Sequence, residues 1–392
     1  MSTTQVADVA NYAQRLQRRI DNAPNELQKI EALVELATLY AKTAASDAAA
    51  TAIERAHYLA GNLPPAQRAL GQTFAMYGDG LLAFHAARYA VAISTILNTI
   101  EAARIARSEV IRARSLAMLS LISGRLGAQR EALEYGVQAL EIALKTGDAR
   151  AETQARVALG NLYIERDEAA AATAEFIAAN KASMSLNDPL TTAAVLSNLA
   201  NAACTAAKLA LAEYKNSSKD GDKCRDVLAT SFATCQTVLS ECRVSGNRYA
   251  EVAALGNLAE MHFMQRQVAE ALTLINEALD VARLAQNIDQ LAYALYLRGV
   301  YLTADMQIDD ALGALTDGLI HAKQSGFQDA QTRIHKAVAE CYEAKNEPVA
   351  ALAAYKLHVA GLDAQQLAER ANRQKMAEVR REFDQMRQRI TA

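Results

Sequence analysis

The chain has no tryptophan, only five prolines and seventeen glycines in 392 residues, and aromatic side chains make up 5% of it. So little turn punctuation, with scarce β-branched alternation, argues against an all-β fold and favours helix nearly everywhere. Cysteine is sparse as well. Cys204, Cys224, Cys235, Cys242 and Cys341 are an odd set in a long chain, which does not make a disulfide framework. Cys235 and Cys242, seven apart, share a helix face, but no nearby histidine completes a zinc site, so they are expected in the core.

Charge of one sign is lacking too. A formal net charge of -3 and a pI near 6.1 give no field that would draw nucleic acid or an anionic membrane surface. The first twenty residues, carrying Asp8, Arg15, Arg18 and Arg19, lack the apolar core of a signal peptide. No stretch reads as a membrane span, and the expected compartment is the cytoplasm. Catalytic signatures are missing: no Gly-rich phosphate loop, no His-Glu-x-x-His, no Cys-x-x-Cys and no Gly-x-Ser-x-Gly. Asp220-Gly221-Asp222 lacks the other ligands of a calcium loop. His57, His85, His262, His321, His335 and His358 are scattered along the chain, and in a repeat array distant residues do not converge. The expectation is a binding protein, with no enzyme activity, metal or cofactor.

What the chain does have is a beat. Polar stops fall at Thr146-Gly147-Asp148, Leu186-Asn187-Asp188, Ser245-Gly246-Asn247, Ala285-Gln286-Asn287 and Ser325-Gly326-Phe327. Asp148 to Asp188, Asn247 to Asn287 and Asn287 to Phe327 are each 40 residues, whereas Asp188 to Asn247 is 59. Gly or Asn at each stop suits a left-handed helix end. A second series keeps the same phase: Ala92, Ala132, Ala172, Ser231, Ala271, Ala311 and Ala351, with Ala49 before it. These small residues are expected in the middle of each second helix, where a neighbour crosses closely. Two markers sharing the same 19-residue excess point to eight helix pairs.

Leu36-Ala37 with Tyr40, Leu159-Gly160 with Tyr163, Ala172, Phe176 and Ala179, and Leu258-Ala259 with Ala271 and Ala278-Leu279 resemble the tetratricopeptide repeat. Arg298-Gly299 with Ala311, and Tyr342 with Ala351 and Tyr355, continue the likeness over about residues 25 to 360. It departs from the 34-residue type in its longer period and lacks the closing proline. The resemblance implies an all-α, right-handed superhelical solenoid of about eight helix pairs, of the 40-residue variety that often serves regulatory peptide binders. The expected layout is a capping helix over 1–24, a solenoid over 25–360 with a lengthened hairpin at 204–226, and a long C-terminal helix over 361–392.

In such an array the first helix of each pair lines the groove. Asn161, Asn198, Asn201 and Asn257 fall there, with Glu260, Tyr293 and Tyr296. An amide offers both donor and acceptor to an extended backbone, which makes these seven the candidate peptide contacts. The family's carboxylate clamp of Lys and Asn is not assembled. In the tail, Met376, Val379, Phe383, Met386 and Ile390 recur at steps of 3, 4, 3 and 4, a short coiled-coil seam. It serves either as a cap on the last repeat or as a homodimer stalk. The tail is also similar to the connecting helix of bacterial tetratricopeptide sensors ahead of a diguanylate cyclase or histidine kinase. Two readings follow: a scaffold that binds a protein or peptide segment, or the sensor half of a signalling regulator.

Overall fold

The computed structural model describes residues 3–43, 45–217 and 221–391. Among them are seventeen helices and no strand. They are α1 (Thr3–Asp21), α2 (Glu26–Lys42), α3 (Ser46–Gly61), α4 (Pro65–His85), α5 (Tyr89–Ile105), α6 (Glu109–Arg125), α7 (Gln129–Thr146), α8 (Ala149–Glu165), α9 (Ala169–Ser183), α10 (Pro189–Ser217), α11 (Gly221–Ser245), α12 (Arg248–Met264), α13 (Val268–Leu284), α14 (Ile288–Ala304), α15 (Ile308–Ser325), α16 (Gln328–Ala344) and α17 (Pro348–Thr391). Each even-numbered helix from α2 to α8, and α12 and α14, packs against its successor, so the unit of structure is the helix pair.

The beat is written into the backbone. Arg107, Gly147, Asn187, Gly246, Gln286 and Gly326 have positive φ and end the second helices. Ser108, Asp148, Asn247 and Asn287 follow directly, and each accepts a backbone N–H of the next helix's first turn; Asp188 does the same for Thr191. At 285–287 the left-handed residue is therefore Gln286, and Asn287 is the cap. A second positive-φ series, Ala87, Gly127, Asp167, Arg266, Met306 and Asn346, turns the chain within the pairs; Ala87, Arg266 and Met306 have no turn preference, which hid them from composition.

The small-residue series is buried throughout, from Ala49 to Ala351. Its placement differs from the expectation: Ala92, Ala132, Ala172, Ala271 and Ala311 sit in the first turn of their helices, and only Ser231 is mid-helix. The mid-helix crossing uses another device. A Cβ on Gly160 would lie 2.8 Å from the Phe176 ring, one on Gly299 would lie 2.5 Å from Leu315, and one on Gly80 would overlap Ile96. Each of these three glycines thus receives a large side chain sixteen positions later, and Phe176, Leu315 and Ile96 are almost fully enclosed.

The 19-residue excess lengthens one hairpin: α10 has 29 residues and α11 has 25, where most other helices have about 17. Pro189–Lys215 is the one described helix stretch long and apolar enough to cross a membrane, and half of its apolar window is buried among other helices. α17 runs unbroken for 44 residues, with no division at 361. The side chains of Met376, Val379, Phe383, Met386 and Ile390 lie outside the described residues.

The chain divides into two compact units, Ala7–Thr192 with Gln374–Ala392, and Ala193–Arg373 with Met1–Val6. The core of the 7–192 unit includes Ile30, Ile53, Ile93, Ile96, Ile111, Leu119 and Ile122. That of the 193–373 unit includes Ala292, Leu315, Ala322, Ile334 and Cys341.

Candidate functional site

Within the 7–192 unit, the first-helix faces meet one another through charge. Arg114 of α6, only 9% exposed, donates from Nη2 and Nε to both carboxylate oxygens of Asp148 at 2.6 and 3.2 Å, and from Nη1 to Glu31 of α2 at 2.9 Å. Arg150 of α8 lies 3.4 Å from Glu35 of α2 and 3.6 Å from Asp188, which also faces Lys42 at 3.9 Å. Arg15 and Lys42 reach Asn187 O and Thr191 Oγ1. Burial works against the charge of Asp188, but Lys42, Arg150 and hydrogen bonds from Thr191 hold its carboxyl below the usual value. About 20 Å³ of space remains between Glu31, Tyr77, Arg114, Arg150 and Gln154, room for about one water. Asn161 lies in this unit, exposed on α8.

In the 193–373 unit the corresponding first helices leave open space. A cavity of about 520 Å³ lies between α10, α12 and α14, within the size range of ligand pockets. Asn201, Lys208, Asn257, Glu260, Gln290 and Tyr293 supply polar atoms to its lining, while Leu297, Phe327 and the Tyr249 ring supply apolar surface. Asn201 and Asn257 form a pair, Asn257 Nδ2 donating to Asn201 Oδ1 at 2.8 Å and to Ala253 O at 2.9 Å. Glu260 is committed to Lys208 at 2.8 Å, with the Cys204 thiol 3.7 Å from its other oxygen. Burial, reinforced by Glu260, pushes that thiol up to about 12, so it stays protonated and is no nucleophile. Gln290 donates from Nε2 to Tyr249 O at 2.8 Å, and its Oε1 is buried with no partner among the described residues. Among the described residues no group of three His, Cys, Asp or Glu side chains could hold a metal.

Four of the seven candidates, Asn201, Asn257, Glu260 and Tyr293, therefore share one cavity. Tyr296 stands beside Tyr293, ring centroids 5.8 Å apart, outside the lining. Asn198 is half-buried on α10 and does not line it. Sequence reasoning missed Lys208, two turns beyond Asn201 on the same face, and Gln290, just under one turn before Tyr293; helical spacing from the candidates would have reached both. Phe327 comes from a stop between helices, where no face pattern points.

No family model matches the chain, and no curated protein matches it. Solved structures do. The chain is similar to a signal transduction ATPase with numerous domains bearing a tetratricopeptide repeat sensor, from Pyrococcus horikoshii, at TM-score 0.61 and 13% identity, covering 92% of this chain and 53% of that one. It thus spans about half the length of that protein. It is also similar to the quorum sensor NprR from B. thuringiensis, at TM-score 0.53 and 14% identity over 92% and 94% of the two chains. A Rap protein complexed with competence and sporulation factor matches at 0.52 and 14% over 93% and 99%. Such identities speak for the fold alone: this is an all-helical, tetratricopeptide-like repeat protein.

Proposed function

We propose that this protein binds an extended peptide or protein segment in the cavity between α10, α12 and α14, as a cytoplasmic, cofactor-free scaffold. The observation that carries the reading is the lining itself. The Asn201–Asn257 amide pair leaves donor and acceptor capacity for a passing backbone. Tyr249, Tyr293, Leu297 and Phe327 give apolar walls for side chains. Two proteins of the same fold are, by name, a quorum sensor and a Rap protein complexed with competence and sporulation factor, which supports a ligand-responsive role.

The experiment is to pan a random peptide display library on the purified chain and measure the enriched peptides by calorimetry. Asn201→Ala with Asn257→Ala should weaken them by roughly tenfold or more, the worth of one to two hydrogen bonds, without changing helical content. Enriched peptides that bind the double variant as tightly as the parent chain would remove the cavity from consideration.

A further inference from the structure

Residues 353–371 of α17 carry a regular apolar stripe that no described residue covers. Ala353, Leu357, Ala360, Ala364, Leu367 and Ala371 recur at steps of 4, 3, 4, 3 and 4, and all six are exposed; Leu357 is 54% and Leu367 66% accessible. Such spacing keeps side chains in one line along a helix and is the heptad seam of paired helices. The neighbouring face is already used: Gly361 sits against Thr332, Gln365 Nε2 donates to Thr332 Oγ1 at 3.3 Å, and His358 Nδ1 lies 2.9 Å from Thr332 O. The stripe is thus turned away from α16. An exposed apolar line about 27 Å long, with two leucines in register, is an uncommon surface for a lone chain.

The order of the residues identifies the occupant. Ala-Leu-Ala-Ala-Leu-Ala, with its 4-3-4-3-4 spacing, reads the same from either end. A helix running the opposite way across a two-fold axis beside Leu362 sets Leu357 against Leu367 of the second copy, Ala360 against Ala364, and Ala353 against Ala371. Alanine at four of six positions lets two helices approach to about 8 Å. Lys356 and Asp363 flank the stripe on one side, and both are exposed. In the antiparallel pair Lys356 faces Asp363 of the second copy, twice by symmetry; a parallel pair in register would set them against Gly361 and Ala368 and leave both unpaired. Self-complementarity of one patch is what a two-fold interface demands. We propose that α17 pairs with a second copy of this chain, antiparallel, through residues 353–371. This is a different stripe from the Met376–Ile390 seam, and it stands independently of the peptide reading.

Sedimentation velocity on the full chain, up to about 100 µM, should show a dimer that dissociates on dilution. Leu357→Glu with Leu367→Glu should give a monomer at every concentration with unchanged far-ultraviolet circular dichroism. Lys356→Glu alone should weaken the dimer about fivefold, and adding Asp363→Lys should restore it. Orientation is read by cross-linking: a mixture of Ala360→Cys and Ala364→Cys chains should link faster than either alone. A full chain monomeric at the highest concentration, a dimer indifferent to the leucine substitutions, or faster linking of Ala360→Cys with itself would each overturn the proposal.

Discussion

Replacing Arg114 by Met keeps the length of the side chain and removes its charge, and the consequence is readable from three distances. The guanidinium loses two bonds to Asp148, at 2.6 and 3.2 Å, and one to Glu31, at 2.9 Å. Removing one member of a buried ion pair costs about 3–5 kcal/mol, because the carboxylates stay buried without compensation. Here the lower end applies. Glu31 is 23% exposed, so water and Arg19 recover part of its solvation, and Asp148 keeps the Ala151 N–H it caps at 2.6 Å. About 3 kcal/mol corresponds to a fall in Tm of about 6–12 °C for a unit of this size. Thermal melting by circular dichroism gives the shift, and amide exchange in α6 and α8 assigns it to the 7–192 unit. Arg114→Met combined with Glu31→Gln and Asp148→Asn should recover most of the loss, since no stranded charge remains. A single variant that melts within about 2 °C of the parent would refute the reasoning, by showing that these carboxylates are solvated without their arginine.

Other perturbations test other features. Burial, then Lys42 and Arg125, push His85 down to about 4, so between pH 6.5 and 4 the unfolded chain binds a proton that the folded chain refuses. Stability should therefore fall as pH drops through that window, by at most about 3 kcal/mol, and His85→Gln should flatten the pH dependence of urea midpoints. Gly160→Ala places a methyl 2.8 Å from the Phe176 ring and should cost about 1–3 kcal/mol in urea unfolding, with part regained on adding Phe176→Leu. Gly326, at φ 73°, should lose about 1 kcal/mol as Ala, whereas Met306→Gly, at φ 61°, should be neutral or stabilising. All five thiols are buried, so an aromatic disulfide reagent should titrate them only after denaturant is added; rapid reaction of any in the native chain would contradict the packing.

Much of the architecture was legible because its causes are local. A left-handed residue at Gly147 or Asn187, a cap at Asp148 or Asn287, and a buried alanine in the first turn of a second helix are each decided within one or two turns, and repetition made them stand out. Turns at Ala87, Arg107 or Met306 stayed hidden, since those side chains have no preference for the conformation that the packed helices impose on them. Helical spacing put Asn201, Asn257, Glu260 and Tyr293 on groove-side faces, but it equally put Asn161 and Asn198 there. Which face encloses a cavity depends on partners far along the chain: Glu31 meets Arg114 across 83 residues, and Arg150 meets Glu35 and Asp188. Local sequence therefore determined the helices and their period, because propensity and capping act over a few residues. Only the tertiary structure decided that one set of first helices fills its interior with ion pairs while another leaves about 520 Å³ open, because that outcome rests on charges brought together from distant repeats.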